Sequence, residues 1–231
     1  MKKKHSLYSY KEEKKYRRQL RFALVCIVVF FTIYVSFTSF LFSMRVILSD
    51  SMRPGVHAKD RFIFSSYELY SPELQRGGVV LIDRGDEDRR DIFMKFLDGF
   101  IRFWTFQNSG ISEREDFFYL KRVIALPGDE VSMTNFVARV KKKGGPYWIT
   151  EFESSERRYE VIIPQSPALW DRSLPFSGAI DPFVLKEDEY FLLSDDRSNT
   201  NDSRTWGPVP LKRIKGAALF RYWPITRIGK P

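Results

Sequence analysis

The chain has very few of the side chains that proteins use for disulfides and metal sites. Its 231 residues include one cysteine, Cys26, and two histidines, His5 and His57. A single cysteine excludes an internal disulfide framework and a cysteine-based zinc site, and two histidines are too few for a histidine-rich metal site. The sequence therefore implies no metal and no cofactor.

An excess of basic charge is also missing outside the N-terminus. The whole chain carries 38 lysines and arginines against 29 aspartates and glutamates, a net charge of +9. Residues 1–21 hold nine basic and two acidic side chains, which is +7, so the remainder carries only about +2. Nucleic-acid binding requires a basic surface, and we therefore expect no nucleic-acid partner.

Residues 22–44 have no charged side chain, although 29% of the chain is charged. As a helix they would span roughly 34 Å at about 1.5 Å per residue, enough to cross a bilayer core. A cleaved secretory signal is the alternative, but the run is long for one and no Ala-x-Ala-like site follows it. We predict an uncleaved anchor over 22–44, with 1–21 as a basic cytoplasmic tail and 45–231 translocated.

Beyond the predicted anchor, short apolar runs alternate with glycine and proline turn signals. Eight runs have the length and composition of β-strands. They are Arg61–Ser65, Val79–Asp83, Phe117–Ala125, Glu130–Met133, Phe136–Val140, Arg158–Ile163, Tyr190–Ser194 and Ala217–Trp223. Helices do not alternate with these strands, so the pattern predicts a mostly β domain.

Two segments depart from the strand pattern. Residues 90–106 repeat apolar side chains at three- and four-residue intervals, which predicts an amphipathic helix. That helix either packs on the β core or lies in the lipid headgroup layer. Residues 135–182 are less regular and richer in Lys, Arg, Gly and Pro. This composition indicates a subdomain inserted into a β domain formed by 45–134 and 183–231.

Three blocks place reactive side chains in unusual settings. Ser49–Pro54 closely follows the uncharged stretch, and Lys121 lies between apolar neighbours on a predicted strand. Ser194–Pro208 crowds polar and charged residues into a loop. Taken singly, each block has a purely structural interpretation: a turn, an edge lysine that discourages aggregation, and a hydrogen-bonded Asx turn.

Together the three blocks resemble the bacterial type I signal peptidases, a family of serine proteases. The resemblance covers nearly all of residues 20–224 and includes the order of the motifs. These are a basic tail, an anchor, S-x-S-M-x-P, R-G-x-V-V, Y-x-K-R-x-x-x-L-P-G-D and S/G-D-x-R-x-N-x-x-D-S-R-x-W-G. The resemblance implies a β-sheet catalytic domain with an inserted subdomain, tethered by one N-terminal transmembrane helix.

The resemblance assigns the chemistry to a serine and a lysine. Ser51 corresponds to the nucleophile and Lys121 to the general base. Ser49 corresponds to a hydroxyl that joins the Ser51 backbone N–H in the oxyanion hole.

Five further positions correspond to supporting residues. Thr200 matches a hydroxyl that orients the lysine amine, while Asp202 and Arg204 match an ion pair behind the site. Met52 and Pro54 match residues that shape the substrate groove and its turn.

The third block departs from the family pattern at several positions. Ser194 stands where the family usually has glycine, and Thr200 stands where it usually has serine. Threonine keeps a hydroxyl, so the orienting role expected at that position survives. Four further departures are Asp196 and Ser198 in the third block, Ala125 in the second and Gly55 directly after the first.

The residues themselves favour a lysine base. A serine hydroxyl is a poor nucleophile without an adjacent base, and His57 lies six residues from Ser51 in no triad frame. Lowering a lysine pKa from near 10.4 to about 8 needs roughly 3 kcal/mol, which desolvation can supply. Six residues at about 3.4 Å each keep the nucleophile within roughly 20 Å of the membrane end of the anchor.

The resemblance thus implies a membrane-bound serine endopeptidase that removes signal peptides from exported preproteins after small residues, as in Ala-x-Ala. Its partners would be preprotein signal peptides and the lipid bilayer, with the protein-export translocon as a further candidate. It would sit in the bacterial inner membrane with one pass, a cytoplasmic N-terminus and a periplasmic catalytic domain. Two alternatives stay open: a non-catalytic paralogue that binds signal peptides, and a specialised protease that matures a restricted set of exported proteins.

Overall fold

The computed structural model describes residues 3–40, 42–66, 74–83, 97, 101, 118–165 and 178–231. The first element is a long helix, α1 (Lys3–Phe40). Within these ranges, no helix has both the length and the apolar character needed to cross a membrane. The anchor predicted over 22–44 therefore stays a prediction.

Strands dominate the rest of the described chain. In sequence order they are β1 (Phe42–Val46), β2 (Arg61–Ser66), β3 (Val79–Asp83), β4 (Phe118–Ala125), β5 (Glu130–Thr134), β6 (Val137–Lys141), β7 (Ile149–Thr150), β8 (Ile180–Val184), β9 (Glu189–Leu193), β10 (Val209–Pro210) and β11 (Ile214–Trp223). The short helices are α2 (Glu151–Ser154) and α3 (Ser203–Trp206), with 3₁₀ turns at Leu211–Arg213 and Ile225–Arg227. The mostly β prediction is confirmed.

Two antiparallel sheets share the described strands. The larger sheet has the order β1-β2-β11-β3-β4-β9-β10, and the smaller has the order β7-β6-β5-β8. One buried apolar cluster contains residues of β4 and β9 from the larger sheet and of β5 and β6 from the smaller. The two sheets therefore share part of one hydrophobic core, and the bounds of an inserted subdomain over 135–182 stay a prediction.

The junction between the sheets is fixed by a buried carboxylate, Asp129. Its oxygens accept from Arg76 Nε at 3.0 Å and from Arg76 Nη2 at 2.8 Å. They also accept from the backbone N–H groups of Leu126 at 2.9 Å and Lys143 at 3.0 Å. One carboxylate thus satisfies donors on both sides of the turn, which holds the smaller sheet against the larger.

Strand β4 is packed on both faces, which explains why its sequence is nearly continuously apolar. Leu120, Val123 and Ile124 belong to three different buried clusters. Between them lie Lys121 and Arg122, each only 1% exposed. A buried cation requires either a partner or a shifted pKa. This strand therefore places two adjacent side chains in the core that must each meet one of these requirements.

Seven of the eight predicted strands coincide with β2, β3, β4, β5, β6, β9 and β11. The strand predicted over Arg158–Ile163 is wrong, because only Ile162 forms an isolated bridge, to Asp196. This segment instead crosses the third polar block: the Ile162 N–H donates to the Asp195 carbonyl at 2.9 Å, and the Arg197 N–H donates to the Ile162 carbonyl at 2.8 Å.

Two further differences concern the predicted helices. Residues 42–44, which the prediction included in the anchor, belong to β1, where Met44 pairs with Ile63 of β2. The amphipathic segment predicted over 90–106 lies outside the described residues, apart from Leu97 and Ile101, which are helical.

Candidate active site

Ser51 begins a tight turn that is held from two directions. The Val56 N–H donates to the Met52 carbonyl at 2.8 Å, and the Met52 side chain is fully buried in the core. The Asp50 carboxylate accepts from the Ala58 N–H at 2.9 Å. The turn is therefore fixed both by packing and by a side-chain cap, and Ser51 itself is 5% exposed.

Asp60 closes the base of the same loop. It is 1% exposed and accepts from the His57 N–H at 3.1 Å, from Arg221 Nη1 at 3.1 Å and from Arg227 Nη2 at 2.7 Å. The sequence motifs gave no indication of this role, because both arginines lie more than 160 residues further along the chain. The C-terminal segment thereby supports the loop that carries Ser51.

Lys121 points from β4 toward Ser51. Its Nζ lies 3.4 Å from Ser51 Oγ and 2.8 Å from Ser194 Oγ. The rings of Tyr119 and Trp206 lie 5.7 Å and 5.9 Å from the same nitrogen. The amine is thus enclosed by two hydroxyls and two aromatic rings, and no carboxylate of the described residues is in direct hydrogen-bonding contact with it.

The enclosure changes the acidity of the amine. Burial lowers the pKa of Lys121 from its ordinary value of 10.5 to about 8. The charge of Asp202 opposes this effect, the charge of Arg204 adds to it, and the charge of Asp195 opposes it weakly. A substantial fraction of the amine is therefore neutral near pH 8, which a general base requires.

Two backbone contacts fix the orientation of Ser51 itself. The Ser51 N–H donates to Ser49 Oγ at 3.1 Å, so the two serines that the sequence assigned to one site are in direct contact. The Ser51 carbonyl accepts from the Asp196 N–H at 3.1 Å. This second bond joins the first polar block to the third.

Asp202 and Arg204 form the ion pair that the sequence indicated, and Asp202 is fully buried. Arg204 Nε donates to Asp202 Oδ1 at 2.9 Å, and Asp202 Oδ2 also accepts from the Ser194 N–H at 3.0 Å. Burial raises the pKa of Asp202, but its hydrogen bonds and charge contact with Arg204 outweigh that effect and lower the pKa overall. Arg204 Nη1 also donates to the Arg197 carbonyl at 2.9 Å, so the ion pair stabilises the loop.

Thr200 and Ser194 are arranged differently from the expectation. Lys121 Nζ donates to the hydroxyls of Ser194 and Ser51, and Thr200 is not among the hydrogen-bond partners of that nitrogen. The Thr200 carbonyl accepts from the Asp202 N–H at 2.9 Å. Thr200 therefore makes no direct hydrogen bond to Lys121 that would support the orienting role expected of it.

A buried ionic network behind the site was missed by the sequence analysis. Arg122 donates from Nε to Asp195 Oδ1 at 2.7 Å, and its guanidinium lies 4.1 Å from the centre of the Tyr159 ring. The Tyr159 hydroxyl donates to Glu151 Oε2 at 2.8 Å, and Glu151 also binds the buried Arg197. The adjacent Lys121–Arg122 pair on an apolar strand was a usable signal for part of this network.

Met52 and Pro54 occupy different environments. Met52 is 0% exposed, so it could affect a substrate groove only by packing beneath the groove surface. Pro54 is half-buried on the turn itself. Their groove-shaping roles stay predictions.

The chain is similar to known proteins over most of its length. The family model described as signal peptidase, peptidase S26, matches residues 19–223. The chain is 29% identical to the probable signal peptidase I-2 of Synechocystis sp. over 84% of its own length and 69% of the relative's. It is 28% identical to the signal peptidase I of Bacillus licheniformis, covering 83% and 82% of the two chains. The chain belongs to the signal peptidase S26 family.

A third relative extends the comparison over nearly the full length. Signal peptidase I S of Bacillus subtilis is 26% identical over 207 residues, which are 88% of this chain and 89% of the relative.

Proposed function

We propose that this chain is a serine endopeptidase that cleaves signal peptides from exported preproteins, with Ser51 as nucleophile and Lys121 as general base. The observation that carries the proposal is the buried Lys121 Nζ, 3.4 Å from Ser51 Oγ, with its pKa lowered by burial to about 8. The names of the relatives supply the substrate class. A serine needs an adjacent base to act as a nucleophile, and this amine meets that need.

The chemistry follows from these groups. Neutral Lys121 takes the hydroxyl proton as Ser51 Oγ attacks the scissile carbonyl, and a tetrahedral oxyanion forms. Protonated Lys121 then gives the proton to the leaving amine, which departs and leaves an acyl-enzyme. Water, deprotonated by Lys121, attacks the ester, and Lys121 returns that proton to Ser51 Oγ as the ester bond breaks and the signal peptide is released.

The oxyanion hole consists of the Ser51 N–H and the Ser49 hydroxyl. In the structure that N–H donates to Ser49 Oγ at 3.1 Å. Formation of the hole therefore requires Ser49 to turn, so that both groups donate to the oxyanion instead of one donating to the other.

Substrates with small residues at the first and third positions before the cleaved bond, as in Ala-x-Ala, complete the proposal. The support is the resemblance of the Ser49–Pro54 block to the corresponding motif of the family.

The proposal also includes a membrane anchor over 22–44, a cytoplasmic N-terminus and a catalytic domain on the outer face of the bacterial inner membrane. Along α1, large apolar side chains are exposed: Phe22 is 71% exposed, Ile27 67% and Phe30 66%. Such a surface requires a nonpolar partner, and the lipid bilayer provides one. The bilayer and the protein-export translocon are the proposed partners besides the substrate.

The full chain in detergent tests the proposal with a synthetic signal-peptide substrate. Ser51→Ala and Lys121→Arg should both reduce cleavage to background, because guanidinium does not deprotonate in proteins. Lys186→Arg is the matched control, since Lys186 is an exposed surface lysine, and it should retain full activity. Substantial cleavage by Lys121→Arg would contradict the assignment of the base.

A further inference from the structure

The hydroxyl in closest contact with the Lys121 amine is not the one that the sequence pattern suggested. Lys121 Nζ lies 2.8 Å from Ser194 Oγ, a shorter distance than the 3.4 Å to Ser51 Oγ. Ser194 is fully buried, so water does not compete for this contact. A contact of this length and burial restricts how the amine can turn.

Strand register explains why Ser194 reaches the amine. Strands β4 and β9 are antiparallel, and Arg122 pairs with Leu193. One step further along the same register brings residue 194 opposite residue 121. Directly opposed residues in an antiparallel pair project to the same face with Cβ atoms about 5 Å apart. A serine at the end of β9 therefore meets the lysine of β4 by the geometry of the sheet.

Ser194 is itself held in position. Its N–H donates to Asp202 Oδ2 at 3.0 Å, and Asp202 is fixed in turn by Arg204. Asp202 therefore stabilises the backbone of Ser194 rather than contacting the amine. This arrangement keeps a negative charge out of hydrogen-bonding contact with the lysine, which would otherwise hold its proton.

We propose that Ser194 is the positioning residue of the general base: its hydroxyl accepts a hydrogen bond from Lys121 Nζ and directs the lone pair of the amine toward Ser51. This inference rests on the proposed function. An amine has one lone pair and two N–H donors, so anchoring a donor on Ser194 leaves the lone pair free to face the serine hydroxyl. Glycine at position 194 would remove the acceptor, while Thr200 makes no hydrogen bond to the amine.

Ser194→Ala and Ser194→Gly in the full chain test the assignment. Each should lower kcat for a synthetic signal peptide roughly 10- to 100-fold, with KM nearly unchanged, because Ser194 is fully buried. An acceptor stabilises the charged amine, so its loss should also move the midpoint of the pH–rate curve to lower pH, by about half a unit. Ser194→Thr, which keeps a hydroxyl, should recover part of the rate.

Ser154→Ala is the matched control. Ser154 is also a buried serine, but its hydroxyl donates to the Glu151 carbonyl within α2, at 3.0 Å. It should leave the midpoint of the pH–rate curve unchanged, so a shift in the Ser194 variants reports on the base and not on general loosening. If Ser194→Ala is too unstable to assay, Ser194→Gly gives the same readouts.

Unchanged kcat and an unchanged pH midpoint in both Ser194→Ala and Ser194→Gly would overturn the proposal, as would a larger loss in Thr200→Val than in either. Failure of the proposed function has a different signature: Ser51→Ala or Lys121→Arg would then remain active in the same assay, whatever Ser194 does.

Discussion

Lys121 is the residue at which stability and activity conflict most directly. In the folded chain burial lowers the pKa of its amine to about 8, whereas the ordinary pKa of lysine is 10.5. Between these two pH values the unfolded chain binds more protons than the folded one, so stability rises as the pH rises through this window. Below about pH 8, burial of the charged amine costs the full penalty, which is about 3 kcal/mol for a shift of this size.

Lys121→Met should therefore stabilise the protein while abolishing activity. Met fits a buried apolar site without a charge, so the free energy of unfolding at pH 7 should rise by about 2 kcal/mol, after the loss of the Ser194 contact. This increase in the free energy of unfolding should become smaller as the pH approaches 10.5. Chemical unfolding in detergent at the two pH values measures this, with Lys215→Met as a partly exposed control. A variant less stable than the parent at pH 7 would contradict the account.

Asp202 links stability to pH with the same sign as Lys121, but in an acidic range, because its pKa is also lowered on folding. Its pKa is lowered in the folded state by Arg204 and by backbone donors, against the effect of burial. The stability that it contributes is therefore fully present above the ordinary pKa of 3.8 and is lost as the pH falls through the lower folded value.

Asp202→Asn should destabilise the fold by about 3 kcal/mol at pH 7, because it leaves Arg204 buried without its counter-charge. The difference from the parent protein should narrow as the pH falls below 3.8. Thermal unfolding between pH 3 and 7 measures both effects, and Asp188→Asn, at an exposed position, is the control. A loss of stability in Asp202→Asn that becomes larger toward low pH would be inconsistent with the ion pair.

At the scale of elements, α2 supports the third polar block across the boundary between the sheets. Glu151 in α2 accepts from the Ala138 N–H of β6 at 2.9 Å, from Tyr159 at 2.8 Å and from the buried Arg197. Arg197 lies in the loop that follows Ser194. Loss of the Glu151 carboxylate therefore reaches the loop after Ser194 through one buried ion pair.

Glu151→Gln should destabilise the protein by about 3 kcal/mol, because Arg197 is left as an uncompensated buried charge. It should also lower kcat, since the loop after β9 loses one of its supports. Glu156→Gln removes an exposed carboxylate from the following segment and should change neither quantity. Unfolding and cleavage assays on both variants measure the free energy of unfolding and kcat. Equal values of both quantities in the two variants would show that the network does not support the site.

The sequence predicted the elements whose patterns are local. Strand β4 was predictable because its apolar run spans eight residues, and the unusual Lys121 within it pointed to chemistry. Asp60 and Glu151 were not predictable, because their arginine partners are brought together only by the fold. The two-residue strands β7 and β10 are too short to show any periodicity, and Arg158–Ile163 has strand composition but pairs with a loop.

At the scale of the whole molecule, the proposed anchor over 22–44 would determine which compartment the site faces. The lone Cys26 falls within the predicted anchor, so an impermeant thiol reagent should not label it in intact inner-membrane vesicles. In a Cys26→Ala background, Lys230→Cys should be labelled only from the periplasmic side and Ser6→Cys only from the cytoplasmic side. Labelling of Lys230→Cys from the cytoplasmic side would reverse the proposed topology.

The pH dependence of kcat/KM tests the central claim, that Lys121 is the base for Ser51, most directly. We expect a curve that rises with a midpoint near pH 8, the value to which burial lowers the pKa of Lys121. His57→Ala should leave that curve unchanged, and Lys121→Ala should remain at background at every pH. A midpoint near 6.5, the ordinary range of histidine, together with loss of the curve in His57→Ala and residual cleavage by Lys121→Ala, would contradict it.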